Sequence, residues 1–342
     1  MTGLLLGKFM PVHAGHQLLI DHAVGVVGES GLTVIVGTQP GEPIPGALRV
    51  AWVRELYPRV AVVHLDATMP QEPADHPDFW KLWVAAIRQF VPSGPDLVFT
   101  SEAYGDQLAR RLGAQHVAVD PSRVRVPVSG TAIRARPLEC WRYLPPPVRA
   151  YYARRVVLYG AESTGKTTLA RRLAERFGTV WVPEFGREYL DRKAPADPLA
   201  AFSPDDVPVI AAGQVAAEDR LAREANRLLF CDTDLLTTRV YSELYFGSCP
   251  QEVVAEGMRR PYQLYVWLTP DSAHVADAQR RGRHRDPGVV RRFGELLVEK
   301  GAPFVEVGGS WEERFERAAE AVGTLIPRGD AEWAGCMPDR GI

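Results

Sequence analysis

Short apolar runs recur along the chain, separated by longer stretches in which apolar residues return at helical spacing. Leu4-Leu5-Leu6, Thr33-Val34-Ile35-Val36, Val60-Ala61-Val62-Val63, Asp96-Leu97-Val98-Phe99 and His116-Val117-Ala118-Val119 read as strands. Between them lie segments such as Phe79-Trp80-Lys81-Leu82-Trp83-Val84-Ala85-Ala86-Ile87, whose apolar positions repeat as on one helical face. Strand, helix, strand at this cadence predicts an α/β fold, a parallel sheet with helices on both faces. Ligands then belong at the carboxyl ends of the strands.

After about Val119 the alternation breaks. The stretch Leu144-Pro145-Pro146-Pro147-Val148-Arg149 cannot continue a helix, because consecutive prolines lack amide donors, so the inter-domain connection is expected there. A second alternating series follows, with Val156-Val157-Leu158-Tyr159, Leu228-Leu229-Phe230-Cys231, Leu264-Tyr265-Val266-Trp267-Leu268 and Phe304-Val305-Glu306-Val307 as its strands. The expected division is a domain over 1–146, a second α/β domain over 147–326, and a loosely ordered tail over 327–342 whose Pro, Gly, Asp and Arg residues show no period. No repeat of solenoid period is present.

Length agrees with this division, since 342 residues correspond to about two domains. Lys+Arg 40 against Asp+Glu 42 leaves a formal charge of −2, which argues against a broad nucleic-acid-binding surface. No apolar run approaches membrane-spanning length, and the opening Leu4-Leu5-Leu6 is too short for a signal-peptide core. Cys140, Cys231, Cys249 and Cys336 are scattered without a C-x-x-C pair, so neither a disulfide framework nor a zinc site is supported. A cytoplasmic protein without nucleic-acid or membrane partners is expected, and homo-oligomerisation is left open.

Directly after the first strand comes Gly7-Lys8-Phe9-Met10-Pro11-Val12-His13-Ala14-Gly15-His16, leading into a helical run. Two histidines at a helix start, beside a glycine, would turn imidazole and backbone N–H groups toward one point, which suits a phosphate. For two histidines alone, unrelated polar residues near a helix start are the favoured reading. The order strand, Gly-x-Phe-x-Pro-x-His-x-Gly-His, helix is more specific, and it resembles the nucleotidyltransferase superfamily. The superfamily's second signature has its counterpart in Ser129-Gly130-Thr131-Ala132-Ile133-Arg134, where Ser129 and Thr131 can cap a helix and donate to phosphate oxygens and Arg134 offers a planar cationic fork. The resemblance implies ATP contacts from Gly7, Lys8, Phe9, Met10, His13, His16, Ser129, Thr131 and Arg134. It also implies direct attack of an acceptor phosphate on the α-phosphorus, with His13 and His16 steadying the transferred group and Lys8, Arg134 and Mg²⁺ the triphosphate.

Gly160-Ala161-Glu162-Ser163-Thr164-Gly165-Lys166-Thr167 matches G-x-x-x-x-G-K-[ST] without a gap, after a strand and before the helical Thr168-Leu169-Ala170-Arg171-Arg172-Leu173. This is a P-loop in the setting it requires. Backbone amides from Gly160 through Thr168, including those of Glu162, Ser163, Thr164 and Gly165, would cradle phosphates. Lys166 would reach their outer oxygens, and Thr167 would ligate Mg²⁺. Asp232 and Asp234 end a later strand, where a carboxylate near the metal is expected; Asp234 could equally cap the following helix. Arg280-Arg281-Gly282-Arg283-His284-Arg285 is either solvated surface or a lid in which Arg281 and Arg283 close over the triphosphate.

A nucleotidyltransferase followed by a P-loop kinase resembles the NadR-type bifunctional nicotinamide-nucleotide adenylyltransferases and ribosylnicotinamide kinases, over nearly the whole chain. Further residues carry the resemblance: Thr100-Ser101-Glu102, Asp120-Pro121, Trp141-Arg142-Tyr143-Leu144-Pro145, Glu184-Phe185-Gly186-Arg187-Glu188-Tyr189, Asp232 to Thr238 and Val275-Ala276-Asp277. It implies a Rossmann-like N-terminal domain and phosphorylation of nicotinamide riboside by the second half. The first half would then adenylylate the mononucleotide, with ATP and Mg²⁺ consumed and NAD as product. Glu184 or Asp232 would orient or deprotonate the hydroxyl, and Arg187 would bind substrate or phosphate. Trp80 or Trp83 would stack on the flat, cationic nicotinamide ring, although their spacing also fits two core aromatics. Two departures stand out. The family's lid reads Trp-Val-Ala-Asp-Gly where this chain has His274-Val275-Ala276-Asp277-Ala278, which bears on kinase substrate choice. The chain also begins at its first strand, without the helix-turn-helix repressor domain of some members, so no DNA-binding role is expected. The same chemistries on another acceptor, or a nucleotide sensor with one inactive half, are the alternatives.

Overall fold

The computed structural model describes residues 1–197, 201–269 and 286–327, which form two compact units, one of Met1–Val148 and one from Arg149 onward. The lid segment with Arg281, Arg283 and His274, and the tail beyond Pro327, lie outside the described residues.

The first unit alternates β1 (Gly3–Gly7), α1 (Ala14–Val27), β2 (Leu32–Thr38), α2 (Gly46–Leu56), β3 (Ala61–Asp66), α3 (Phe79–Arg88), β4 (Leu97–Thr100), α4 (Gly105–Leu112), β5 (Gln115–Ala118) and α5 (Gly130–Ala135). All strand pairs are parallel, in the order β3-β2-β1-β4-β5, with Leu5 opposite both Val34 and Phe99. Leu4, Ile35 and Val98 from three neighbouring strands pack with Ile87, Leu108 and Leu112 from the helices, so one face of the sheet is sealed by an apolar layer. The order reverses beside β1, and a crevice opens at the carboxyl ends of β1 and β4.

The proline run lies where the two units meet, and prolines 146 and 147 open α6 (Pro146–Tyr152). A proline at the first helical positions gives up an amide that has no intrahelical acceptor anyway, so the residues that bar a helix from continuing are suited to starting one.

The second unit contains β6 (Arg154–Tyr159), α7 (Lys166–Arg176), β7 (Trp181–Val182), α8 (Phe185–Lys193), α9 (Asp206–Leu221), β8 (Leu228–Asp232), α10 (Leu235–Phe246), α11 (Gln251–Arg259), β9 (Leu264–Leu268), α12 (Pro287–Lys300), β10 (Phe304–Val307) and α13 (Trp311–Gly323). Its parallel sheet runs β10-β9-β6-β8-β7, with β6 in the centre. Val156, Leu158, Phe230 and Val266 pack against Leu169, Leu173 and Val322 of the covering helices. Among the described residues no helix is long and apolar enough to cross a membrane.

Candidate active sites

In the first unit the loop after β1 turns sharply, with Phe9 at φ 48°, and hands the chain to α1 through His13. His13 is the N-cap: its Nδ1 accepts the Gly15 N–H at 3.1 Å, so its proton resides on Nε2. His16 stacks against it, with ring centroids 3.9 Å apart. Burial holds His13 down to about 4, with the Arg123 charge adding to the effect. His16 is held well below its ordinary value by burial, then by His13 and Arg123. Both rings are therefore neutral N–H donors near neutral pH, and His16 Nδ1 is buried without a partner among the described residues.

These rings share a cleft of about 590 Å³ with Lys8, Phe9, Met10, Ser129, Thr131 and Arg134, so residues from both predicted signatures meet. Ser129 caps α5 through the Ala132 N–H, and Arg134 donates to the Met10 carbonyl at 2.5 Å and to Thr131 Oγ1 at 3.1 Å. Gly130 is required by that approach, since a Cβ there would stand 2.7 Å from the Met10 oxygen. Lys8 Nζ lies 3.3 Å from Glu42 Oε1, and the fully buried Arg49 donates to Glu42 Oε2, to the Lys8 carbonyl at 2.8 Å and to the Gly37 carbonyl. Glu42 and Arg49 thus fix the loop that carries Lys8. Sequence reading missed both, because nothing in their local pattern marks them.

Trp80 and Trp83 line an adjoining pocket with Thr38, Gln39, Phe79, Tyr104 and Leu108. Trp83 is anchored by its Nε1 to the Pro70 carbonyl at 2.9 Å, whereas the Trp80 ring is covered by the Arg111 guanidinium at 4.5 Å. The pocket is mostly apolar, and the Trp83 indole is held by its hydrogen bond to Pro70.

In the second unit the loop from β6 to α7 has the wound shape a phosphate cradle needs, with Gly160, Ser163 and Gly165 at φ 131°, 62° and 93°. A Cβ on Gly160 would meet the Leu268 carbonyl oxygen at 2.6 Å. Lys166 Nζ and Thr164 Oγ1 both donate to the Ala161 carbonyl at 2.8 Å. Glu162 donates its N–H to the Tyr241 hydroxyl at 2.9 Å. The buried Arg314 braces the loop from α13, donating to the Thr164 carbonyl at 3.0 Å and the Gly309 carbonyl at 2.9 Å.

Thr167 Oγ1 donates to Asp232 Oδ2, across from β8. Asp232 Oδ1 is buried without a partner among the described residues, and burial, then the nearby Glu184 charge, pushes this carboxyl up to about 6 against the pull of Lys166. A hydroxyl and a half-satisfied carboxylate below a phosphate cradle fit a Mg²⁺ ion, which takes one or two protein oxygens and leaves its other positions to phosphate and water. Glu184 and Arg187, 3.4 Å apart, line the neighbouring pocket with Gln214, Thr237, Tyr241, Tyr245 and Phe202. The two tyrosine rings are stacked there with centroids 6.3 Å apart.

Asp234 does not line this pocket, so neither contact with its substrate nor the place near the metal offered for it is what the residue does. It is fully buried, caps α10 through the Thr237 N–H at 3.1 Å, and accepts the Tyr265 hydroxyl at 2.8 Å. Of the two sequence alternatives for this residue, the cap prevails.

Two parallel α/β units, one built around a phosphate-cradling P-loop, define a nucleotide-handling protein of the P-loop class in the second unit. Residues 155–314 match the family described as an AAA domain. The trifunctional NAD biosynthesis/regulator protein NadR of Escherichia coli (strain K12) is 31% identical over 345 residues, covering 95% of this chain and 83% of that protein. The chain belongs to the NadR family. A nicotinamide-nucleotide adenylyltransferase of Methanoculleus marisnigri is 29% identical over 147 residues, 42% of this chain and 85% of that one. The fold is shared with a crystal structure of a NadR protein in complex with NR, at a TM-score of 0.76 and 23% identity, covering 95% of this chain and 96% of the other.

Proposed function

We propose that this chain is a bifunctional enzyme of NAD biosynthesis. Residues 1–146 act as a Rossmann-like adenylyltransferase of the His-x-Gly-His type, and residues 147–326 as a ribosylnicotinamide kinase. The observation that carries the reading is the presence in one NadR-family chain of two complete phosphate-binding constellations, His13/His16/Arg134 and Gly160–Thr167, each at the carboxyl edge of its own parallel sheet.

In the kinase half the P-loop amides and Lys166 hold the triphosphate, and Thr167 and Asp232 would hold Mg²⁺, which supplies charge neutralisation on the phosphates when bound. Glu184 orients the ribose 5′-hydroxyl and takes its proton. It stands in the open pocket, partly exposed and paired with Arg187, whereas Asp232 is engaged by Thr167. Arg187, beside Glu184 in the same pocket, binds substrate or phosphate. The new phosphate then becomes the nucleophile in the first half: a non-bridging oxygen attacks the α-phosphorus of ATP, a P–O bond forms, and the bond to pyrophosphate breaks. No protein nucleophile is involved. His13 and His16 donate N–H bonds to the transferred group, Lys8 and Arg134 bind the phosphates, and Trp83 offers its face to the nicotinamide ring.

Protein incubated with nicotinamide riboside and MgATP should yield first the mononucleotide and then NAD, followed by product mass. Lys166→Ala should abolish the first product while supplied mononucleotide is still converted to NAD, and His16→Ala should give the reverse. Absence of any mononucleotide from the unaltered protein would remove the kinase assignment, and a dead second step with supplied mononucleotide would remove the adenylyltransferase assignment.

A further inference from the structure

One cation in the first cleft has no part in either signature. Arg123 lies on the connection between β5 and α5, and its Nη2 donates to Glu102 Oε1 at 2.8 Å. Both side chains line the cleft that contains His13, His16, Ser129 and Arg134. The backbone under Arg123 is cross-braced: its N–H donates to the Asp120 carbonyl at 2.9 Å, while the Asp120 carboxylate accepts the N–H groups of Val124, Arg125 and Val126 at 3.0 to 3.2 Å. The position of the side chain's root is therefore fixed, and the side chain is 45% exposed.

Charge accounting singles this residue out. Lys8 is paired with Glu42, and Arg134 spends one donor on the Met10 carbonyl and one on Thr131. Arg123 uses one nitrogen on Glu102, leaving its remaining N–H donors for another anion. An exposed carboxylate pair of this kind is weak, so sharing the guanidinium with a phosphate costs little, and the phosphate contact is the stronger of the two. The field of Arg123 already reaches the phosphate-binding point, since it lowers the proton affinity of both histidines.

We infer that Arg123 is a further phosphate-binding residue of the adenylyl-transfer site, held over the two histidines by Glu102 and contacting the triphosphate of ATP. The inference rests on the adenylyltransferase reading of this unit. Glu102 is then a positioning residue, and Arg123 supplies a planar fork opposite Arg134, so the triphosphate is gripped from two connections of the sheet.

The test measures NAD formation from supplied nicotinamide mononucleotide with the full chain. Arg123→Ala should raise the KM for ATP about tenfold, as loss of one charge-assisted contact implies, with the KM for the mononucleotide changed far less. Arg123→Lys should recover part of the loss, and Glu102→Ala should raise the ATP KM by a smaller factor than Arg123→Ala. Thermal unfolding at the midpoint of the unaltered protein checks folding; if Arg123→Ala fails that check, Arg123→Lys carries the test, with a raised ATP KM expected. An unchanged ATP KM in both folded Arg123 variants, or an effect confined to the mononucleotide, would overturn the inference. An unaltered protein that forms no NAD would instead overturn the reading of the unit.

Discussion

His13 Nδ1 receives the Gly15 N–H at 3.1 Å, so the residue that opens α1 also presents its Nε2–H to the cleft. A Cβ at position 15 would lie 3.0 Å from His13 Cε1 and 3.1 Å from Nδ1. Gly15→Ala should therefore displace the ring and break the cap, costing about 1 kcal/mol of stability. The effect on adenylyl transfer should be larger, on the order of 10²-fold in kcat, because a misplacement of about an ångström at a reacting group costs that much. Steady-state rates with supplied mononucleotide check this; a variant within twofold of the unaltered rate would show that the cap does not set the ring's position.

The same histidine makes stability depend on pH. In the unfolded chain an imidazole binds its proton near 6.5, while burial holds His13 down to about 4 in the fold. Between those values the unfolded chain binds more protons, so stability falls as pH drops from 6.5 toward 4 and is indifferent to His13 above 6.5. At pH 5 the linkage amounts to about 2 kcal/mol. His13→Asn keeps a good N-cap without the titration. Urea unfolding at pH 7.5 and pH 5 should show the stability difference between the two proteins moving toward the variant at the lower pH. A difference that stays constant would mean that His13 keeps an ordinary proton affinity.

What was legible in the sequence was local and contiguous. The P-loop and the Gly7–His16 string declare themselves because the chemistry needs neighbouring backbone amides and side chains. Nine strands were placed within a few residues because runs such as Val156-Val157-Leu158 are buried on both faces. Trp181–Val182 went unread, since two residues carry no period. Glu42, Arg49, Arg123 and Arg314 contact residues 21 to 150 positions away in the chain, and no spacing rule reports such a contact. Asp234 shows the converse: Asp-x-Asp at a strand end resembles a metal site, yet one carboxylate faces the P-loop and the other caps a helix.

Arg260 anchors a buried charge cluster in the second unit, with Glu218 at 3.2 Å, Asp219 at 2.7 Å and Glu256 at 3.6 Å. Glu218 is fully buried, and burial pushes its carboxyl up to about 7 even though Arg260 pulls the other way. Arg260→Met should cost about 3–5 kcal/mol at pH 8, where Glu218 must lose its partner or take up a proton. At pH 5.5, where that carboxyl is protonated, the penalty should shrink. Adding Glu218→Gln, which keeps the Tyr262 hydroxyl supplied with an acceptor, should restore most of the loss. Denaturant midpoints of the single and double variants decide the matter; equal penalties at both pH values would place the cost in packing and not in charge.

Gly165 and Trp311 are interlocked in a way that separates two costs. A Cβ on Gly165 would stand 2.0 Å from Trp311 Cη2, and the residue also sits at φ 93°, where a side chain is strained whatever the space. Gly165→Ala should thus suffer both a clash with α13 and backbone strain in the phosphate cradle. Trp311→Ala, at a residue 45% exposed, should unfold near the unaltered midpoint. In the double variant the clash is gone and the strain remains at about 1–2 kcal/mol. Its thermal midpoint should therefore rise well above that of Gly165→Ala, while phosphorylation of nicotinamide riboside stays low because the amides of the cradle are still displaced. If the double variant is no more stable than Gly165→Ala, the indole is not the obstacle; if it phosphorylates at the Trp311→Ala rate, the left-handed backbone at position 165 is not what shapes the cradle.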